Sequence, residues 1–338
     1  MAAGKKYKIA TLCSHSALQI LKGAKDEGFQ TILICTPDKL ALYKRFKFID
    51  KIVEIKSHAQ FPDIEKNLVK QNAIIIPHGS FVAYLGVDKN KAMKVPYFGN
   101  KNVLDWESDR KLQRKWMQQA EIPIPKRFKK GDKIDRPVIV KSFGAAGGNG
   151  YFFAKNQKEF DKRIKSFKPK EFIVQEYVIG VPVYIHYFYS PITGELQVLS
   201  IDKRYESNVD SLGRIPMQNQ SGLGIEPSFV VVGNSPLALR ESLLAEAFEM
   251  GERVVEASKK LIDKRGIWGP FCLETIITPE QKFSIIEISC RIVAGTNLFI
   301  NGSPYASLYW DYDVSTGRRI SMEIKEAIKT KNLNKILN

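Results

Sequence analysis

A glycine-rich loop preceded by a lysine is the segment whose residue types point most directly to chemistry. Lys141 follows the apolar run VIV, and the loop after it ends at Gly150, directly before YFFAK. Glycines let the backbone turn tightly and bring its N–H groups close to an anion. Since a strand follows and no Lys-Ser or Lys-Thr pair is present, the loop is neither a Walker A loop nor a dinucleotide fingerprint. We expect a hairpin over nucleotide phosphates; a plain hairpin tip is the alternative.

Two acidic residues near the end of the chain predict a cation site. Glu274 in GPFCLETI and Glu287 in FSIIEISCR each interrupt an apolar run, and a short hairpin would place them on neighbouring strands, facing the same way. Because burying an isolated carboxylate is costly, two close carboxylates favour a hard cation such as Mg²⁺ held against substrate phosphates. Arg291 follows Glu287 closely and could reach a transferring phosphoryl group. A buried Glu–Arg pair without metal is the alternative.

Two predicted strand ends share a pattern of histidine and serine. KIATLC ends in SHS at 14–16, AIIIP is followed by HGS at 78–80, and a helix begins after each. In an open parallel sheet, ligands bind beyond the carboxyl ends of the strands, where helix N-termini favour phosphate. His15, Ser80 and the neighbouring serines are therefore expected to converge on one anionic small molecule. For the serines, helix capping is the alternative.

The elements that must position these residues fall into three stretches. In the first hundred residues, strands such as QTILICT alternate with amphipathic helices such as HSALQILKGAKDEGF, which predicts a small parallel sheet. KVPYFGN reads as a short strand, and WESDRKLQRKWMQQAE as one linking helix. VPVYIHYFYSP, ELQVLSIDKRYES, GPFCLETIIT and KFSIIEISCR read as antiparallel strands around a long helix that includes ESLLAEAFEMGERVVEASKKLI. The predicted fold class is α/β followed by α+β.

Composition narrows the function classes. The chain has 338 residues, 4 cysteines and a formal net charge of +16. No stretch approaches the ~20 apolar residues of a membrane span. Four cysteines are too few for a disulfide framework, which predicts a reducing, cytoplasmic location. None of them forms a CxxC pair, which argues against a zinc ribbon. The basic residues are scattered among acids and apolar residues, so a lysine-rich surface is favoured over nucleic-acid binding.

Several segments together resemble the ATP-grasp ligases. They are the strand–loop–strand after VIVK, the run VQEYV at 174–178, and the late pair of glutamates followed by an arginine. CSHSALQILKGAKDEGF at 13–29, KRYESN at 203–208 and CRIVAGTN at 290–297 resemble more closely the archaeal formate-dependent FAICAR (5-formaminoimidazole-4-carboxamide ribonucleotide) synthetases. This resemblance spans nearly the whole chain. It implies an ATP-grasp fold preceded by a small parallel-sheet (pre-ATP-grasp) domain.

By this resemblance the N-terminal domain occupies 1–100 and the ATP-grasp region 101–338, with a lid at 126–180 and a body at 181–338. The implied enzyme is an ADP-forming carbon–nitrogen ligase of purine (IMP) biosynthesis. ATP phosphorylates formate, and the amine of aminoimidazole carboxamide ribonucleotide (AICAR) attacks the formyl phosphate. The implied cofactor is Mg²⁺ or Mn²⁺, and the implied partners are ATP, formate, AICAR and further copies of the chain. Nucleic acid and membrane are not expected.

The resemblance also implies roles for individual residues. His15, Ser80 and Asn234 are expected to contact AICAR, Glu274 and Glu287 to bind the metal, and Arg291 is the catalytic candidate. The residues expected to bind ATP are Arg110, Lys141, Gly147, Gly148, Gly150, Gln175, Glu176, Val178 and Glu206.

The chain departs from the family pattern in several places. Ala146 and Asn149 stand in the glycine loop where close relatives often carry a basic residue. Ser289 replaces the usual Asn after the second metal-binding Glu, and Val183 replaces a ribose-binding Glu, whose role Glu206 is expected to take. Two alternatives therefore stay open: an ATP-grasp ligase of another carboxylate and amine, and a nucleotide-binding paralog without turnover.

Overall fold

The computed structural model describes residues 6–142, 151–167, 171–206 and 231–338. The strands are β1 Lys8–Leu12, β2 Gln30–Cys35, β3 Lys51–Glu54, β4 Ala73–Ile75, β5 Arg127–Phe128, β6 Val138–Ser142, β7 Tyr151–Ala154, β8 Phe172–Glu176, β9 Val181–Tyr189, β10 Leu196–Glu206, β11 Val231–Pro236, β12 Gly269–Ile277 and β13 Phe283–Ser289. The helices are α1 Ala17–Asp26, α2 Leu40–Tyr43, α3 Phe61–Lys70, α4 Gly79–Ala92, α5 Val103–Ser108, α6 Arg110–Gln119, α7 Gln157–Ile164, α8 Glu241–Leu261, α9 Thr316–Lys329 and α10 Leu333–Ile336.

The first sheet is parallel and has the strand order β3-β2-β1-β4. β1 and β2 are almost wholly buried, as central strands covered on both faces must be. The amphipathic α1 turns Ile20, Leu21 and Ala24 toward the core. The predicted parallel sheet is confirmed. Because β1 and β4 are adjacent and parallel, the segments 14–16 and 78–80 that follow them lie at the same edge of this sheet.

The second sheet has the order β5-β8-β6-β7 and holds the strands that flank the glycine loop. β6 and β7 pair antiparallel, with Lys141 opposite Tyr151, so the two predicted strands are confirmed. The loop positions Gly147, Gly148 and Gly150 lie outside the described residues.

The third sheet is antiparallel and has the order β11-β10-β9-β12-β13. The long α8 packs on one side of it, where Met250 and Val254 join Val183, Ile185 and neighbouring apolar residues in one core. The α+β half of the prediction is therefore confirmed. The opposite face of this sheet carries polar residues such as Asp202 and also apolar ones such as Phe188, which packs in the core shared with α9.

The first and the last long helix of the chain pack closely on each other. A Cβ atom on Gly23 of α1 would collide with the backbone nitrogen of Arg318, and one on Gly317 of α9 would collide with the carbonyl oxygen of Gln19. The Gln19 side chain also accepts a hydrogen bond from the Gly317 N–H at 3.1 Å. Backbone therefore meets backbone here, and the N-terminal sheet shares its core with α9.

Two local expectations were wrong. The predicted linking helix is divided into α5 and α6 at Asp109, whose backbone is extended and whose carboxylate accepts hydrogen bonds from the N–H groups of Lys111 and Leu112 at 2.7 and 3.0 Å. The expected strand in KVPYFGN is reduced to isolated bridges at Tyr97 and Phe98. Within the described part of the chain, no helix has the length and apolar character needed to cross a bilayer. The domain boundaries remain a prediction.

Candidate active site

One face of the antiparallel sheet carries the predicted metal ligands. Glu274 on β12 lies directly opposite Glu287 on β13, and on its other side it lies opposite Tyr184 of β9. Residues directly opposite each other in a sheet point to the same face. The expectation that a hairpin brings the two glutamates together on one face is therefore met by the register.

Glu274 forms a two-pronged ion pair with Arg204 of β10. The Arg204 Nη2 and Nη1 atoms donate to the two carboxylate oxygens at 2.9 and 3.3 Å. The guanidinium carbon lies 3.7 Å from the centre of the Tyr184 ring, which adds a cation–π contact. Planar guanidinium and carboxylate groups match in this geometry, so Arg204 fixes the orientation of Glu274.

The metal-free alternative paired Arg291 with Glu287, and this pairing is wrong. Arg291 forms its ion pair with Glu107 of α5, and Glu274 takes Arg204. Arg291 is mostly buried, which lowers its pKa, and its Nε atom has no hydrogen-bond partner among the described residues. A buried donor without a partner is energetically costly, and Arg291 is not among the residues that line the cavity between the second and third sheets.

Glu287 has the electrostatics of a cation ligand. Burial, followed by the neighbouring Glu274 carboxylate, raises its pKa from 4.5 to about 7. Arg110, Arg204 and Lys141 act in the opposite direction. A cation bound between the two carboxylates would relieve their repulsion. No group of three or more His, Cys, Asp or Glu residues able to hold a metal occurs among the described residues. Two carboxylates are the donor set with which proteins commonly hold Mg²⁺ against substrate phosphates, and the pair Glu274 and Glu287 has that chemistry.

A cavity of about 200 Å³ separates this glutamate from the second sheet. Arg110, Lys141, Gln175 and Glu287 are among the residues that line it. The predicted phosphate contacts Arg110 and Lys141 are thus brought to one space. Burial and nearby cationic groups lower the pKa of Lys141, which shows that positive charge is concentrated here. Such a cavity is suited to a polyanion.

The predicted hinge follows β8. Glu176 ends that strand, accepts a hydrogen bond from Arg136 Nη1 at 3.0 Å, and donates its own N–H to the Lys126 carbonyl at 2.8 Å. Val178 follows and is half-buried. The Glu176 side chain therefore anchors the chain at the end of β8. Glu206 ends β10, opposite Val231.

The two strand ends of the parallel sheet meet as expected. The rings of His15 and His78 stack with centroids 5.3 Å apart and planes 2° from parallel. Hydrogen bonds from the hydroxyls of Ser14 and Ser80 contribute to lowering the pKa of Tyr84. Ser14 and His15 both adopt positive φ angles, of 94° and 50°, which are costly for residues other than glycine.

Both histidines are neutral near pH 7. Burial is the largest cause in each case and lowers the pKa of His15 to about 4 and that of His78 to about 3. His78 Nε2 lies 2.9 Å from the Leu12 carbonyl, which can only accept, so Nε2 carries the proton. His78 Nδ1 then accepts from the Ser80 N–H at 3.2 Å and caps α4. The alternative that Ser80 caps α4 is therefore wrong, because His78 is the capping residue.

Asn234, the third predicted AICAR contact, lies on β11 opposite Arg204. Its side chain amide donates to Asp202 Oδ2 at 2.6 Å. A 3₁₀ turn at Ala294–Phe299 links it to the histidines, because Gly295 packs against Asp202 and Asn297 Nδ2 donates to the His15 carbonyl at 3.0 Å. The same turn thus supports candidate residues on both sheets.

Several residues of the site were missed from the sequence. Asp202 and Arg204 are two residues apart on β10, so their side chains lie on the same face of the strand, the face toward Glu274. This spacing was the available sequence signal for them. Arg114 and Arg127 also line the cavity. Their helix and strand gave no motif, and only the fold brings them to Lys141. Tyr84 and Glu107 were not singled out from the sequence either.

Comparisons with known proteins give matches along most of the chain. A family profile described as a protein of unknown function (DUF1246) matches residues 9–128, and a domain of unknown function (DUF1297) matches residues 153–338. A 5-formaminoimidazole-4-carboxamide-1-(beta)-D-ribofuranosyl 5'-monophosphate synthetase from Pyrococcus horikoshii is 54% identical over 98% of this chain and 99% of its own length.

Solved structures agree with this similarity. An IMP biosynthesis protein PurP from Thermococcus kodakaraensis superposes with a TM-score of 0.79 and 32% identity, covering 98% of this chain and 100% of that one. An N5-carboxyaminoimidazole synthetase from Staphylococcus aureus, complexed with ADP, has a TM-score of 0.60 and 14% identity over 89% of this chain and 76% of its own. The second match concerns the fold alone. The predicted ATP-grasp fold is confirmed.

Proposed function

Because the chain belongs to the family of 5-formaminoimidazole-4-carboxamide-1-(beta)-D-ribofuranosyl 5'-monophosphate synthetases, we propose that it formylates AICAR with formate and ATP in purine (IMP) biosynthesis. It is an ATP-dependent carbon–nitrogen ligase that forms ADP and phosphate. The observation that carries this proposal is the 54% identity to a synthetase of this name over 98% of the chain.

The proposed reaction has two steps. A formate oxygen attacks the γ-phosphorus of ATP, the bond to the β–γ bridging oxygen breaks, and formyl phosphate and ADP are formed. The AICAR amine then attacks the formyl carbon, a proton leaves the nitrogen, and phosphate departs. Formate is a poor acyl donor and the ring amine is a weak nucleophile. Phosphoryl transfer and close positioning supply what both reactants lack.

For the first step, we assign the nucleotide to the cavity between the second and third sheets. Lys141 and Arg110 line it and would bind the phosphates, and Gln175 to Val178 would hold the adenine, with main-chain contacts beyond Glu176. Glu274 and Glu287 would hold Mg²⁺ or Mn²⁺, which neutralises phosphate charge when bound. Arg291, whose buried Nε has no hydrogen-bond partner among the described residues, is assigned to the transferring phosphoryl group.

For the second step, we assign AICAR to the edge where the parallel sheet meets the face of the antiparallel sheet. His15, Ser80 and Asn234 surround this edge. Because His15 is neutral near pH 7, it offers the substrate a hydrogen bond without a charge. The 3₁₀ turn at Ala294–Phe299 that supports both His15 and Asn234 keeps these contacts at a fixed separation.

Product analysis with ATP, formate and AICAR tests the proposal. We expect one ADP per formylated product, with no product when either formate or ATP is omitted. Product formed from a formyl folate without ATP consumption would contradict it. ADP release that requires a different carboxylate or amine would indicate another ligase, and binding of ATP without any turnover would indicate a non-catalytic paralog. Self-association and a cytoplasmic location remain predictions from the sequence.

A further inference from the structure

A buried carboxylate lies behind one of the proposed AICAR contacts. Asp202 of β10 is fully buried. Its Oδ1 accepts from His186 Nε2 at 2.5 Å, and its Oδ2 accepts from Asn234 Nδ2 at 2.6 Å. Gly295 leaves room for this carboxylate, since a Cβ atom there would collide with Oδ1. Each oxygen of Asp202 is therefore held by a different neighbour.

This arrangement fixes which end of the Asn234 amide faces the substrate. Asn234 turns its NH₂ group toward Asp202, because Nδ2 is the atom that donates to the carboxylate. The amide oxygen then points away from Asp202. Asn234 is half-buried whereas Asp202 and His186 are buried, so Asn234 is the member of this cluster with exposed surface.

We propose that Asp202, held in turn by His186, is a positioning residue that makes Asn234 present an acceptor oxygen to an N–H group of AICAR. This inference rests on the proposed function, because it concerns the same substrate. AICAR carries N–H donors on both its amine and its carboxamide. The Asn234 oxygen favours a substrate that places an N–H group against it. A substrate with an oxygen in place of that N–H group is disfavoured, because two hydrogen-bond acceptors would then face each other.

The Asp202→Asn variant reverses the polarity of this cluster. The new amide would use its oxygen to accept from His186 and turn its NH₂ group toward Asn234. Asn234 would then rotate to accept that hydrogen bond, and its own NH₂ group would face the ligand. We expect AICAR affinity to fall about tenfold to a hundredfold, as when a buried hydrogen bond is lost, with the KM for ATP unchanged.

An exchange of the two side chains provides the rescue. In the double variant Asp202→Asn, Asn234→Asp, the amide introduced on β10 would accept from His186 and donate to the carboxylate introduced on β11, whose second oxygen again faces the ligand. The net charge of the cluster is the same as in the original protein. We expect AICAR affinity to return to within a few-fold of the original, which a purely structural role of Asp202 does not predict.

The experiment compares AICAR binding by calorimetry for the original protein, Asp202→Asn, the exchange variant and Asn234→Ala, with melting temperatures for each. Glu323→Gln is the matched control, because this buried carboxylate accepts from Arg319 and Ser190 at 2.8 and 2.7 Å. It should lower stability and leave AICAR binding unchanged. An exchange variant that is folded and binds as weakly as Asn234→Ala, or an Asp202→Asn variant that binds normally, would overturn the inference. Failure of the original protein to bind AICAR would instead overturn the proposed function and with it this assignment.

Discussion

Glu287→Gln is the substitution that best separates a cation site from a structural carboxylate. The pKa of Glu287 is raised from 4.5 to about 7, chiefly by burial and then by Glu274. Because the folded-state pKa is the higher one, the stabilising contribution of the protonated form is present below the unfolded pKa and is lost as the pH rises through about 7. Above that pH, keeping the carboxylate ionised costs the native state about 3 kcal/mol.

The glutamine variant carries no such cost. In the absence of nucleotide we expect it to be more stable than the original protein by about 3 kcal/mol near pH 8 and by under about 1 kcal/mol near pH 5. Urea unfolding at the two pH values measures this difference, provided that the m-values of the two proteins agree. Added ATP with Mg²⁺ should stabilise the original protein by mass action and the variant much less.

The outcome that refutes this reasoning is a loss of stability in the variant. If Glu287 were one half of a structural ion pair, its neutralisation would strand a buried cation and cost about 3–5 kcal/mol without any ligand. Glu323→Gln shows what such a loss looks like, because Glu323 does pair with Arg319. A Glu287→Gln variant that behaves like Glu323→Gln would remove the main electrostatic support for a metal at this face.

Three further predictions concern the substrate contacts. His15→Ala should raise the KM for AICAR about tenfold to a hundredfold with little change in melting temperature, whereas a large drop in melting temperature with an unchanged KM would assign His15 to packing. Burial lowers the pKa of His15 to about 4 and of His78 to about 3. As the pH falls, these two histidines therefore take up protons in the unfolded state at a higher pH than in the folded state. The free energy of unfolding should therefore decrease below about pH 6.5, and pH-dependent unfolding of His15→Ala should show a decrease smaller by about 2–3 kcal/mol near pH 4. Lys141→Met should raise the KM for ATP by roughly tenfold or more while AICAR binding, measured by calorimetry, stays unchanged; a change in AICAR affinity alone would contradict its assignment to the nucleotide.

Local sequence patterns were sufficient to predict which residues meet in those parts of the site that lie within one hairpin or along one sheet edge. The period of two in the last two strands predicts that Glu274 and Glu287 face the same way, and the register confirms it. The matched strand ends predict the meeting of the segments 14–16 and 78–80, because parallel strands end at one edge. In both cases the relevant distance is set by regular backbone geometry.

The partners of charged side chains could not be predicted in this way. Arg204 reaches Glu274 and Arg291 reaches Glu107, and each pair joins elements that are far apart in the sequence. Which arginine takes which carboxylate depends on strand order and on how α5 packs, and neither is encoded locally. The division of the predicted linking helix at Asp109 was missed for a different reason. Aspartate is a favoured helix cap, and that signal was outweighed by the continuous amphipathic pattern around it.

The close packing of α1 on α9 has a consequence for how the protein is made. Gly23 and Gly317 allow backbone contact between segments that are synthesised at opposite ends of the chain. The N-terminal sheet therefore leaves the ribosome long before the helix that covers its apolar side, and contacts with such a wide sequence separation form slowly. During that interval the apolar stripe of α1 is exposed to other nascent chains, which favours aggregation until α9 is available to cover it.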